Sequence, residues 1–442
     1  MKLNTVAFPF RLAQLALPAL FALAGAAHAQ PAAKPPIAQA WIDVATFSGM
    51  SMPMGGGMGG NSGAMGAMGN LGSLFGGSAG GSGDNNSFGN TTAGSAGRWV
   101  DVTLITRNNP SLSDAQQAVP SGFMAPALKL TASQETRGRV PPDNDDTVVE
   151  RDMERPKGRI LMYWGCGAAV GAGQPKVLDM ANASNSDLAR FFVSRRATQR
   201  GAHSMPGRPV WPSVPDKRML PDGASLVGQH AFNGSGVPAD FRFQIPPAQD
   251  LMPALSVQNK DAGGATEVSW NAAPSARAYF VSAMGSSEKE ELVVWTSSQL
   301  PDTGMGLMDY QTNAAVDKWL SEKVLLSAST TQCTVPKGVF PSGGGAMLRV
   351  IAYGNELNLT HPPRPADPRA VWEPVWAVKL RVKSMSTSML GMDGASMMGQ
   401  ARQQRGQEGD AKPGQTAGTE STDQPGDKAV SPLNLIRGLF GR

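Results

Sequence analysis

The sequence predicts a mainly β protein: two antiparallel β-sandwich-like domains with few short helices, plus long disordered low-complexity segments. Three observations carry that expectation. First, residues 267–270, 278–283, 291–296, 347–353 and 376–383 are β-branched or aromatic runs bounded by Gly, Pro, Asn or Ser, the strand-and-turn signature of a sandwich. Second, Trp376, Val378, Leu380 and Val382 alternate with Lys379, Arg381 and Lys383. A period of two with one polar side predicts a strand that is dry on one face and wet on the other. Third, 52 Gly and 34 Pro in 442 residues, with 17% charged residues, 23 Met and 4 His, describe a loop-rich chain with biased segments.

Residues 1–29 read as a secretory signal peptide. Lys2 and Arg11 supply the positive end, residues 12–25 the apolar stretch, and Ala27-His28-Ala29 the small-x-small cleavage site. A transmembrane anchor would need a longer apolar span, and no later segment approaches the ~20 apolar residues that cross a bilayer. The mature chain is therefore expected to be exported, periplasmic or extracellular, either soluble or held to the envelope through partners. A net charge of +4, without Lys/Arg runs interleaved with aromatics, argues against nucleic acid as a partner.

The first domain is expected over residues 30–249. Residues 40–47 (Ala-Trp-Ile-Asp-Val-Ala-Thr-Phe) read as its first strand and residues 99–105 as the next. Between them, residues 49–97 are dominated by Gly, Met, Ser and Asn. Such a composition buries too little apolar surface to offset its ordering entropy, so it is expected to be a disordered insertion. Residues 127–130, 159–164 and 175–179 read as further strands. A helix is expected to start at Ser186-Asp187-Leu188, with Leu188, Phe191, Phe192 and Arg195 on one face. Residues 226–232 and 241–245 close the domain, and Pro246-Pro247 marks its end.

The second domain is expected over residues 250–390, with an insertion at 300–331. There Val316, Trp319, Leu320 and Lys323 fall at helical spacing, predicting a short helix across a sheet edge. From Ser386 the chain turns Met-, Gly- and Gln-rich, and residues 391–428 are expected to form a disordered tail. In residues 429–442, Leu435, Ile436, Leu439 and Phe440 form an apolar stripe on two helical turns. A helix that short is marginal alone, so it would dock on this chain, on a partner or on a membrane surface.

The strand order of residues 250–390 resembles a fibronectin type III-like sandwich. Val268-Ser269-Trp270 stand in the second-strand place, Tyr279-Phe280-Val281 in the third and Val350-Ile351-Ala352 in the sixth. The resemblance implies an interaction or spacer module and no particular chemistry. The chain as a whole is similar to exported proteins of Gram-negative bacteria whose role is not established.

An exported chain with two cysteines beyond its leader, Cys166 and Cys333, is expected to join them in a disulfide. Two separately buried thiols are the alternative. Met50, Met52 and Met54, with Met58 close behind, have the spacing of thioether sets that select Cu(I). Periplasmic copper(I) handling is thus an alternative function, and a second methionine group (Met385, Met389, Met392, Met397 and Met398) stands near the tail. Arg190, Arg195, Arg196 and Arg200 are a candidate anion patch on or beyond the expected helix, with a solvated face as the bland alternative.

Weaker motifs are set aside on chemical grounds. Gly165-Cys166-Gly167 has the outline of a phosphate loop, but Pro175 and a strand-like run follow instead of a helix. Residues 143–146 (Asp-Asn-Asp-Asp) lack the glycine and distant Glu of a calcium loop. No Gly-x-Ser-x-Gly elbow follows a strand, and no His-Glu-x-x-His helix occurs. A secreted hydrolase would need His230 or His361 to meet a carboxylate and a nucleophile. The favoured function is an exported, non-enzymatic interaction or envelope-associated scaffold, with protein or envelope components as partners.

Overall fold

In the computed structural model, residues 34–50, 86–124, 126–133, 158–197, 201–289, 291–341, 345–367 and 370–390 are described. Eighteen strands form among them, and the protein is mainly β, with sheets that mix parallel and antiparallel pairs. In chain order the first are β1 (Ala38–Gly49), the four-residue helix α1 (Asn90–Ala93), β2 (Gly97–Thr106), β3 (Asp114–Ala118), β4 (Ala127–Thr131), β5 (Arg159–Trp164) and β6 (Lys176–Asp179). Helix α2 (Asn185–Phe191), β7 (Val210–Trp211), β8 (Gly228–Gly234), β9 (Arg242–Ile245) and a 3-10 turn at Pro247–Gln249 follow. Next come β10 (Val257–Ala262), β11 (Ala265–Trp270), β12 (Ala278–Ser286), β13 (Leu292–Thr296) and helix α3 (Asn313–Ser321). The last are β14 (Leu326–Ser327), β15 (Gln332–Val335), β16 (Ala346–Tyr353), β17 (Leu357–His361) and β18 (Trp376–Leu390).

Fifteen strands make one sheet, with the main order β6-β5-β13-β12-β16-β18-β1-β2-β7-β4-β3-β8-β9; β10-β11-β15 make a second. The sheet is not purely antiparallel: β1 runs parallel to β18 and β5 parallel to β13. Both parallel pairs join strands from opposite sides of residue 250. The two expected regions therefore share one sheet and one core, and no break in pairing falls at 249/250.

The inner face is the dry side that the alternation in β18 predicts. Trp376, Val378, Leu380 and Val382 join Ala40, Ile42 and Val44 of β1 and Leu348 and Val350 of β16 in the main core. Over one half of this face lies the three-stranded sheet, which adds Val268, Trp270, Cys333 and Val335; the rings of Trp270 and Tyr279 are 5.5 Å apart. The other half of the sheet curls back on itself. β9 lies seven strand steps from β18, which in a flat sheet is about 34 Å. Phe241, just before β9, nevertheless stacks on Trp376 at 5.0 Å.

The outer face is covered as well. Helix α2 starts on Ser184, whose hydroxyl accepts the Asp187 N–H while the Asp187 carboxylate accepts the Ser184 N–H, a reciprocal cap. It buries Leu188 and Phe191 against Met162, Met284 and Met347. The helix ends at Phe191, so Arg195 is not on its face as the periodicity suggested. Helix α3 is capped by Thr312 and buries Val316 and Trp319 on Phe280, Ile351 and Tyr353. It thus sits over the middle strands of the sheet rather than across an edge. Lys323 lies beyond it at φ 60°.

Candidate functional site

The densest group of polar side chains lies on the outer face of β18, β1, β2 and β16, which the alternation had marked as wet. Arg381 and Lys383 are 6% and 5% exposed. The segment 302–310, from the insertion before α3, closes over them.

Strand register builds the cluster. Arg381, Asp43 and Asp101 stand directly opposite one another on β18, β1 and β2. Arg381 grips Asp43 with two hydrogen bonds, Nε to Oδ1 at 2.7 Å and Nη2 to Oδ2 at 2.6 Å. The Ala202 N–H adds a third donor to Asp43, at 2.9 Å. Burial works against the Arg381 charge, but the Asp43 carboxylate outweighs it and holds the guanidinium above its ordinary range. Gly201 is what lets the chain pass this close: a Cβ there would stand 1.8 Å from Arg381 Nη2 and 2.7 Å from Asp43 Oδ2.

Asp101 has no such cation in contact among the described residues. Its carboxylate accepts the Gly89 N–H (3.0 Å), the Thr91 N–H (3.3 Å) and the Thr91 hydroxyl, thereby anchoring α1. Burial raises its pKa to about 7 against the pull of those hydrogen bonds, and nearby Asp43 adds to the rise.

Above them, Tyr310 packs its ring 4.5 Å from both the Arg381 guanidinium and the Lys383 ammonium. Its hydroxyl has no hydrogen-bond partner among the described residues, and the facing Thr91 hydroxyl is committed to Asp101. Burial, with Asp43 adding to it, pushes the phenol well above its usual range. Lys383 donates to the Met308 carbonyl at 3.0 Å, and burial brings its pKa down to about 8. Tyr353 donates to the Leu307 carbonyl.

Arg349 of β16 is different again. It is 8% exposed, and its contacts are two thioethers: Nη1 to Met308 Sδ at 2.9 Å and Nη2 to Met347 Sδ at 3.5 Å. Its Nε has no partner among the described residues. Burial lowers its pKa to about 10.

Two of the candidate anion-patch arginines pin the same segment. Arg195 bonds Asp302 (2.6 Å) and Glu322 (2.7 Å) and lies 4.6 Å over the Trp319 ring; Arg196 bonds Asp309 at 3.0 Å. Both guanidiniums are thus paired with carboxylates of this chain. Arg190 is exposed in the last turn of α2, and Arg200 lies outside the described residues.

Cys166 and Cys333 are bonded, with Cα atoms 5.2 Å apart. The bridge ties the turn after β5 to β15, and backbone bonds from Gly167 to Thr334 and from Lys337 to Ala168 reinforce it. The Gly165-Cys166-Gly167 run is thus a structural turn. Met50 follows β1 and donates its N–H to the Thr387 carbonyl at 2.8 Å. Met52, Met54, Met58, Met392, Met397, Met398, residues 143–146, and Leu435, Ile436, Leu439 and Phe440 lie outside the described residues.

His230 is buried between Gln117, the Leu226 carbonyl and the Phe243 ring, and burial lowers its pKa. His361, at the end of β17, stacks on Trp376 and stands 3.3 Å from Asp240. A cavity of about 450 Å³ opens beside β4, lined by Pro126, Lys129, Pro215, Asp216, Lys217 and Arg218. Asp216 is committed there to Arg218 and to the Lys129 N–H. Among the described residues no helix is long and apolar enough to cross a membrane, and no group of three His, Cys, Asp or Glu is placed to hold a metal.

The sequence reading missed Asp43, Asp101, Tyr310 and Arg349. A signal existed for the two acids: Trp41-Ile42-Asp43-Val44 and Trp99-Val100-Asp101-Val102 each set one Asp in a run apolar on both faces, which marks a strand buried on both sides. No protein-family model matches the chain, and no curated protein matches it.

Proposed function

We propose that the protein is an exported, non-enzymatic scaffold that presents a rigid β surface to other proteins or to envelope components. The observation that carries this reading is the assembly of residues 250–390. Strands β10-β11-β15 pack over β13-β12-β16-β18, and β5 and β1 extend the four-stranded layer at its two sides. Three strands over four in this order support a fibronectin type III-like module, a class built for interaction and spacing. The Cys166–Cys333 bridge supports an oxidising compartment, in keeping with the leader at residues 1–29.

The test is a pull-down with the mature chain from its own envelope fraction, with and without residues 429–442. A partner enriched over an unrelated exported β protein, and lost on truncation, supports the scaffold reading and assigns the contact to Leu435, Ile436, Leu439 and Phe440. No enrichment with either form overturns it. Free thiols at Cys166 and Cys333 in protein taken from cells without reductant would count against export.

One observation favours a second reading, copper(I) handling. Because β1 and β18 are parallel, with Gly49 opposite Thr387, Met50 and Met389 stand at the same end of adjacent strands. Titration with Cu(I) under reducing conditions tests it. Affinity weaker than micromolar, unchanged by Met→Ser at 50, 52 and 54, ends the idea.

A further inference from the structure

We propose that Met308 is a site of sulfoxidation, and that Arg349 is the group that receives the sulfoxide oxygen. The inference rests on the outer-face cluster and stands whether or not the scaffold reading holds.

The Arg349 guanidinium is buried under the 302–310 segment with thioether sulfurs as its acceptors. A thioether is a weak acceptor, so this cation is poorly compensated and its Nε is left without a partner. A sulfoxide oxygen is a strong, polar acceptor on the same side chain. Met308 is partly buried while Met347 is 5% exposed, so of the two Met308 is the more open to a dissolved oxidant. The three rotatable bonds of methionine let the sulfur withdraw by the length of the new bond, so that its oxygen takes the place the sulfur held. In an ordinary apolar core the same oxidation is disruptive. Here it supplies the acceptor that a buried guanidinium lacks.

The chemistry is a two-electron oxidation by a peroxide. The Met308 sulfur donates an electron pair to one peroxide oxygen and the O–O bond breaks. The sulfur–oxygen bond forms, and the departing oxygen leaves as water with both hydrogens. Arg349 donates to the departing oxygen as negative charge develops on it, and afterwards to the sulfoxide. The consequence is mechanical: Met308 also holds Lys383 through its carbonyl, so oxidation tightens the whole 302–310 segment on the sheet. The Arg349 charge also opposes a soft cation at these two sulfurs, which separates this site from any copper site further along the chain.

The test uses the full chain. Met308→Gln places an amide oxygen where the sulfoxide oxygen would stand, and is compared in the wild-type and Arg349→Met backgrounds. A Tm rise of about 3–6 °C is expected with Arg349 present, the scale of one hydrogen bond to a charged group. No rise is expected without it. In parallel, graded hydrogen peroxide with peptide mapping follows Met308 against Met305, a partly buried methionine on the same segment. Met308 is expected to oxidise about tenfold faster, a modest share of what one donor to a developing oxyanion contributes, and to lose that lead in Arg349→Met. A Met308→Gln effect equal in both backgrounds, or equal oxidation rates for Met308 and Met305 in the wild type, overturns the proposal.

Discussion

Breaking the Cys166–Cys333 bridge is expected to be the most costly single covalent change. The perturbation is Cys166→Ala with Cys333→Ala, or a phosphine reductant on the native chain. The bridge spans 167 residues. In the chain-entropy account, a loop of that length restricts the unfolded chain by about 17 cal/mol/K, or about 5 kcal/mol at 25 °C. Folded-state terms are small beside this, because the backbone bonds at Gly167 and Ala168 remain available to the reduced protein. At roughly 2 °C per kcal/mol for a fold of this size, Tm should fall by about 10 °C. Thermal unfolding followed by near-UV dichroism, with and without reductant, measures it. Hydrogen exchange should show the amides of residues 165–170 losing protection first. A reduced protein that melts within about 2 °C of the oxidised one would refute the reasoning, since the loop would then be restrained without its staple.

Asp43→Asn should destabilise by about 3–5 kcal/mol in denaturant titration, because it leaves Arg381 as an uncompensated buried charge; a loss under about 1 kcal/mol would mean that water reaches the pair. Gly201→Ala should lower stability with little change in secondary structure, because the added Cβ meets Arg381 Nη2 and Asp43 Oδ2. Asp101 gives a pH dependence of defined sign. Its folded pKa, about 7, lies above the unfolded carboxylate value of about 4, so the folded state binds the extra proton. Its contribution to stability is therefore full below pH ~4 and lost as pH rises to about 7. Asp101→Asn should remove that slope; parallel stability–pH curves for the two proteins would contradict the assignment.

Strand runs and their inner face were legible because a period of two leaves a direct trace in the sequence. Leu188 and Phe191, and Val316 and Trp319, likewise disclosed two helices, and two cysteines behind an expected leader disclosed the bridge. The outer face was misread for a physical reason. Lys379, Arg381 and Lys383 look like a solvated edge to any local rule. What buries the latter two is a segment some 75 residues earlier in the chain, with Met308 accepting from Lys383. The same distance hid the arginine pairs: Arg195 meets Asp302 across 107 residues. Strand partners also escaped the sequence, since nothing in β1 or β5 says that its neighbour comes from beyond residue 250.

The pairing of β1 with β18 also sets the order in which the molecule can be finished. Asp43 and Arg381 are 338 positions apart, and the seam between their strands runs down the middle of the sheet. Whichever end of the polypeptide is delivered first, its central ribbon must wait, one flank unzipped, for the other end to arrive. Contacts of such long range make assembly slow and leave a sticky edge uncovered meanwhile. Residues 38–49 therefore keep one side unpaired until residues 376–390 are in place.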